Sequence, residues 1–206
     1  MKKISLNGIS ENRNNLLGMR VFMDAIGLFD QDARFEELCD IFDKERKSNS
    51  VKLVLRLWAE NAQRQQKAGK KYEDFEFETS DGKTQKLSDY VGKSKYIYFD
   101  FWASWCDPCI AEMPRLKEIY EKYKDLGFEI ISISLDTDKK SWLKALSRLD
   151  TTWVHLNNFE TVNRIKGSYL ISTVPHGVLL DKEGVIIETN SNMVPVLDKK
   201  LEELLR

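Results

Sequence analysis

Cys106 and Cys109 stand three residues apart with Asp107 and Pro108 between them, a spacing suited to thiol–disulfide chemistry. They follow an aromatic and β-branched run, Tyr96–Phe101, with the composition of a buried strand, and then the tetrapeptide Trp102-Ala103-Ser104-Trp105. From Cys109 the pattern turns helical: Ile110, Met113, Leu116, Lys117 and Tyr120 recur at steps of three and four. The pattern therefore places Cys106 at the start of a helix, where the macrodipole and unpaired N–H groups stabilise a thiolate. Cysteines so placed have pKa values of roughly 3.5–7.5, against about 8.5 when free. Cys106 is then the nucleophile that attacks a substrate disulfide. Cys109, one turn deeper, resolves the mixed disulfide that results.

Other uses of such a pair fit less well. A zinc site built on Cys-x-x-Cys takes a second such pair or a closely spaced histidine pair. Here the remaining candidates are Cys39, His155 and His176, which form neither, so no metal is expected. Two merely packed cysteines would not be separated by Asp107 and Pro108, which mark an exposed loop-to-helix junction. No cofactor is called for, since the cysteine pair is itself the redox couple. Cys39, in a helical pattern between Leu38 and Asp40, reads as a packed small hydrophobe.

The block from Asp100 to Cys109, DFWASWCDPC, resembles the active-site block of the thioredoxin superfamily. Pro114 sits where members of that superfamily kink the redox helix, and Thr173-Val174-Pro175 is similar to their cis-proline loop. Glu112 and an extra helix-bearing segment after Asp136 resemble the TlpA/ResA-like branch, distantly akin to the peroxiredoxins of the AhpC/TSA group. The resemblance covers residues 71–206. It implies an extracytoplasmic thiol–disulfide oxidoreductase whose partners are a disulfide-containing protein substrate and an upstream electron donor. It implies further that Pro175 is cis, keeping a backbone N–H away from the thiolate and leaving Val174 free to pair with an extended substrate. Trp105, Asp107 and Pro108 would then lie against that substrate.

Two carboxylates have roles of their own. Asp100 falls on the buried aspartate of the superfamily, and an unpaired buried carboxylate has a raised pKa, fit to accept the Cys109 proton. Glu112 lies three residues past Cys109 and returns towards the same end of the helix. With Asp107 it is expected to hold the Cys106 pKa up and favour a reducing protein.

The elements that must carry these residues can be read in outline. The fold class expected is α/β: a thioredoxin-like βαβ plus ββα arrangement, a mixed sheet with helices on both faces, preceded by an α-helical N-terminal segment. Residues 1–70 form that segment and 71–206 the thioredoxin-like domain. Glu73–Glu78 and Lys83–Leu87 flank the turn signal Ser80-Asp81-Gly82 as a hairpin. Gly127 stops the redox helix, Phe128–Leu135 is a second buried strand, and Asp136–Leu149 a helix. Trp153–Leu156 adds a short extended piece, and Glu160–Ile165 a short helix ended by Gly167. His176–Leu180 and Val185–Glu188 form a second hairpin, and Val196, Leu197, Leu201, Leu204 and Leu205 a last amphipathic helix.

Composition sets the outer bounds. A chain of 206 residues with 42% hydrophobic and 32% charged residues is that of a well-packed globule. Its 32 basic and 33 acidic residues nearly cancel, so charge makes no case for nucleic acid or an anionic membrane. The apolar runs fall far short of a membrane span. Met1-Lys2-Lys3 has the charge of a signal-peptide start, but Asn7, Gly8 and Ser10 interrupt any apolar run behind it. Since the resemblance implies a leader, one is expected to be missing from this sequence, with the periplasm or cell envelope as the compartment and the cytoplasm as the alternative.

Two other functions compete. A thiol peroxidase needs a lone low-pKa cysteine behind a Pro-x-x-x-Thr pattern, and no threonine precedes Cys106 at that spacing. From a different class, the chain could be a metal chaperone or a non-catalytic binding module on the same scaffold; the copper-handling members of the family it resembles use wider cysteine spacing with a distant histidine, which this sequence matches poorly.

Overall fold

The side chains of Tyr96–Trp102 alternate between two apolar faces, which is what a strand covered on both sides requires. Ile97, Phe99 and Phe101 pack into one core with Phe77, Ile131 and Ile133. Tyr98 and Trp102 pack into the other with Leu116, Ile119 and Leu179. The computed structural model describes residues 67–191 and 193–206, all within one compact unit, Gln63–Arg206. Cys39 and nearly all of the helical segment expected over 1–70 lie outside the described residues.

The described strands are β1 (Glu76–Thr79), β2 (Thr84–Lys86), β3 (Tyr96–Trp102), β4 (Phe128–Ser134), β5 (Val154–Asn157), β6 (His176–Asp181) and β7 (Ile186–Asn190). The helices are α1 (Asp107–Tyr123), α2 (Lys139–Leu146), α3 (Val162–Tyr169) and α4 (Val194–Leu204). The strands make one seven-stranded sheet in the order β2-β1-β5-β4-β3-β6-β7. The βαβ unit expected around the redox helix is present, with β3 and β4 parallel and Asp100 opposite Ser132. β5 extends the parallel set, while β1 and β6 join it antiparallel. Both hairpins form, β1 with β2 and β6 with β7. The chain thus has the thioredoxin-like α/β architecture, with α1, α2 and α4 packed into one core and α3 into the other.

Four local expectations need correction. α1 ends at Tyr123, and a 3-10 turn over Lys124–Leu126 follows it; Gly127, at φ 99°, closes that turn rather than the helix. α2 starts three residues later than expected, because Asp138 caps it by accepting the Ser141 N–H at 2.7 Å. Asp136 is drawn inward instead. α3 runs straight through Gly167, because Tyr169 completes the buried stripe begun by Val162 and Ile165, and its hydroxyl donates to the Glu73 carbonyl at 2.7 Å. The left-handed residue that ends it is Leu170, at φ 55°. Val196 in α4 is exposed; Val194, Leu197 and Leu201 are the buried face.

Before β1 the chain takes an edge position. Gly69 N–H donates to Ile186 O, Ile186 N–H to Lys70 O, and Tyr72 N–H to Gly184 O, at 2.8, 2.8 and 2.9 Å. Residues on either side of the expected 70/71 boundary are therefore bound along the second hairpin.

Candidate active site

β3 delivers the chain to the carboxyl end of the parallel strands, where open α/β sheets hold their sites. Four residues later Cys106 caps α1: its N–H donates to Ala103 O at 3.1 Å, and its carbonyl accepts from Ile110 N–H at 3.1 Å. Pro108 occupies the first turn, where its missing N–H costs nothing. Cys106 and Cys109 are joined by a disulfide. The Cys106 sulfur also accepts the Cys109 N–H at 3.3 Å, in the position a capping oxygen would take. That contact favours negative charge on Cys106 once the pair is reduced. Both cysteines are buried in the oxidised state, while Asp107 and Pro108 between them are exposed.

Asp100 is buried at 3% exposure in the middle of β3, on the same face of the strand as Tyr98 and Trp102. Its carboxylate accepts the Ser132 hydroxyl at 2.7 Å, and the Ser132 oxygen in turn accepts the Trp153 indole N–H at 2.8 Å. Burial drives the Asp100 pKa up to about 7, repulsion from Glu112 adds to the rise, and the Ser132 bond opposes it. The group can therefore hold or release a proton near neutrality. Glu112, half-buried on α1, has its own pKa raised by desolvation. It is more than a solvated helix carboxylate, because its field reaches both Asp100 and Tyr98. Asp107 faces solvent.

Across the site, the Val174–Pro175 peptide bond is cis. Val174 packs against both cores, and with Trp105 it lines a pocket of about 330 Å³. Trp105 is 67% exposed, the most exposed large apolar side chain among the described residues. Trp102, by contrast, is fully buried. His176 is part of the β6 packing, with Nε2 2.9 Å from the Thr189 hydroxyl and its ring edge towards Phe101. Pro114 lies inside α1, on its exposed side. Among the described residues no cluster of three or more His, Cys, Asp or Glu side chains is placed to hold a metal ion.

One functional element escaped the sequence reading. Asp136, 2% exposed, accepts the Ser104 N–H at 2.9 Å, the Ser104 hydroxyl at 2.6 Å and the Ser134 hydroxyl at 2.7 Å. Asn157 donates to Ser134 Oγ and to Asp136 O, at 2.8 and 3.1 Å. This network ties the loop that carries Trp105 and Cys106 to the ends of β4 and β5. A buried carboxylate with three hydrogen bonds is a rigid anchor, since losing one partner leaves a desolvated charge. The signal in the sequence was the recurrence of serine and asparagine at the last positions of β4 and β5.

Comparison with known proteins fits this geometry. The AhpC/TSA family profile matches residues 68–189, a span that contains Cys106, Cys109 and the cis bond. The thiol-disulfide oxidoreductase ResA of Bacillus cereus is 32% identical over 120 residues, covering 58% of this chain and 67% of that protein. ResA of Geobacillus kaustophilus is 30% identical over 133 residues, or 64% of this chain and 74% of that one. The crystal structure of the thioredoxin domain of a thiol-disulfide oxidoreductase from Bacteroides vulgatus superposes with a TM-score of 0.61 at 28% identity. That match covers 68% of this chain and 98% of the Bacteroides domain.

Proposed function

The chain belongs to the AhpC/TSA family, in its ResA-like branch of thiol–disulfide oxidoreductases, and from that premise we propose that it reduces protein disulfides in an extracytoplasmic compartment. The Cys106 thiolate attacks one sulfur of the substrate disulfide; a new S–S bond forms, the substrate S–S bond breaks, and one substrate thiolate leaves. Cys109 then loses its proton to Asp100 and attacks the Cys106 sulfur. The mixed disulfide breaks, the second substrate thiolate leaves, and the pair ends as the Cys106–Cys109 disulfide. Two electrons have passed from the enzyme to the substrate. An upstream dithiol donor returns them.

Each neighbouring residue has a part in this reading. Val174 offers backbone to an extended substrate beside the cis bond, and Trp105 with Asp107 and Pro108 forms the exposed collar around the reacting sulfur. Asp100 manages the proton of Cys109, and Glu112 tunes Asp100. The redox chemistry resides in residues 71–206. Among the described residues no helix is long and apolar enough to cross a membrane.

The observation that carries the reading is the bonding of Cys106 to Cys109 at the first turn of α1. Reduced protein should cleave the disulfides of insulin and be left oxidised in stoichiometric amount. Cys106→Ser should abolish the reaction, and Cys109→Ser should stop it at a mixed disulfide. Hydrogen peroxide consumed faster than insulin is reduced would make the protein a thiol peroxidase instead. Neither reaction would leave a binding module.

A further inference from the structure

The pocket beside Trp105 extends away from the cysteines to α3. Its apolar floor is Leu135, Val162 and Ile171, all nearly buried. Its far wall is formed by Asn163 and Lys166. No acidic side chain lines it. Lys166 forms no ion pair among the described residues, whereas Arg164 on the same helix pairs with Glu73 at 3.6 Å. Of the carboxylates close in sequence to the lining residues, Asp136 is buried on its serines, Glu160 lies in the loop before α3, and Asp107 stands exposed beyond Trp105 at the opposite end from Lys166, all three outside the lining. A concave apolar surface therefore ends at one positive charge that no described carboxylate pairs with, and its near end is lined by Trp105, the residue preceding Cys106.

Resting on the oxidoreductase reading above, we infer that this pocket selects substrate polypeptides with an apolar side chain next to the reactive cysteine and a carboxylate two residues beyond that side chain, on the same face of the extended chain. A cavity of about 330 Å³ is roughly 7 Å across, which matches the spacing of alternate, same-face side chains in an extended chain at about 3.4 Å per residue. The apolar side chain displaces water from the floor over Val162 and Ile171, which drives binding. The carboxylate pairs with the Lys166 ammonium, and the Asn163 amide is free to donate to it. A basic residue at the same place would meet Lys166 with like charge, so the subsite discriminates by repulsion as well as attraction. Lys166 is a specificity determinant in this scheme and touches none of the reacting sulfurs.

The test uses the full chain and three disulfide-linked peptides that differ only at the third residue after the cysteine: Cys-Leu-Ser-Glu, Cys-Leu-Ser-Gln and Cys-Leu-Ser-Lys. The second-order rate of reduction should rank Glu above Gln above Lys. The ratio of first to last should be on the order of five-fold, the size an exposed ion pair supports, and should shrink in high salt. Lys166→Glu should invert the ranking and Lys166→Gln should flatten it. Because each ratio is internal to one protein, a general loss of activity in a variant does not disturb the result. Hydroxyethyl disulfide, small and uncharged, separates the two claims. If wild-type protein fails to reduce it and all three peptides, the oxidoreductase reading fails. If it reduces them with equal rates for the three peptides, or if Lys166→Glu keeps the wild-type ranking, the subsite is overturned and the oxidoreductase reading stands.

Discussion

Tyr98 lays its ring across Gly177 on the neighbouring strand, so closely that a Cβ on that glycine would come within 2.5 Å of the ring carbons Cε2 and Cζ. Gly177 sits opposite Asp100 in the β3–β6 register, so the room it leaves is room beside the buried carboxylate. Gly177→Ala should cost about 1–3 kcal/mol through overpacking, measured by urea unfolding. Gly167 is the control. It lies inside α3, where an added Cβ would meet nothing within 4 Å, and Gly167→Ala should stabilise by about 0.5–1 kcal/mol. Equal effects of the two substitutions would contradict this account of the packing.

Ser132 pairs across the sheet with Asp100 on one side and His155 on the other, and those two residues impose opposite pH dependences. Asp100 titrates near 7 in the fold and near 3.8 unfolded, so the native state holds the extra proton and stability falls as pH rises from 4 to 7. His155 stacks on Trp153, its Nδ1 is buried with no hydrogen-bond partner among the described residues, and burial lowers its pKa to about 4. Here the unfolded chain takes up the extra proton, so stability falls as pH drops from about 6.5 to 4. Each slope is about 1.4 kcal/mol per pH unit, and they offset each other between roughly pH 4.5 and 6. In denaturation series across that range, Asp100→Asn should make stability rise with pH and His155→Phe should make it fall. A slope unchanged in both variants would reject the assignment.

Reduced protein treated with iodoacetamide at pH 7 should be alkylated at Cys106 before Cys109. The expectation follows from the Cys109 N–H that the Cys106 sulfur accepts and from the position of Cys106 as helix cap. Peptide mapping gives the order of labelling, and faster modification of Cys109 would reverse the two roles.

Removal of the Glu112 charge should be felt at Asp100. Glu112→Gln should lower the Asp100 pKa from about 7, read from its carboxyl carbon resonance against pH. Asp107→Asn should lower the Cys106 pKa by somewhat under one unit, since like charges about 4 Å apart in water repel by roughly 1 kcal/mol. Thiolate absorbance at 240 nm measures it, and an unmoved titration would make Asp107 a bystander.

Residues 63–206 expressed alone should reduce insulin at close to the rate of the full chain. Every residue given a part in the redox step lies within that unit. A folded fragment that has lost most of its activity would assign the preceding segment a share in the site or in substrate capture.

Apart from Asp100 and the Val174-Pro175 loop, which the family resemblance supplied, the parts of this site visible in the sequence were those whose neighbours in space are neighbours in the chain. Cys106, Pro108 and Cys109 act through one turn of α1, so their spacing carried their chemistry. β3 announced itself because seven residues with apolar side chains on both faces have few other places to go. Asp136 was misread as a helix start because an aspartate after a strand is an ordinary cap. Besides Ser134, two residues before it, its partners Ser104 and Asn157 come from segments that only the sheet brings to it. Gly167 misled in the other direction. A glycine late in a short helix reads as a stop, yet the buried stripe of Val162, Ile165 and Tyr169 was already written across it.

The strip from Gly69 to Tyr72 along the second hairpin has a bearing on how the protein behaves at high concentration. An open sheet has two outer strands whose unpaired amides invite other chains to add on, the first step towards fibrils. On one flank Gly69–Tyr72 occupies the start of β7, with Glu188 farther along the strand. On the other, β2 is only three residues long, preceded by Lys83 and ending in Lys86. Both flanks are thus blunted, one by a covering strip and the other by shortness and charge. A thiol–disulfide oxidoreductase gains from this, since blunted flanks let it exchange sulfurs with other polypeptides while offering them no sheet edge to add to.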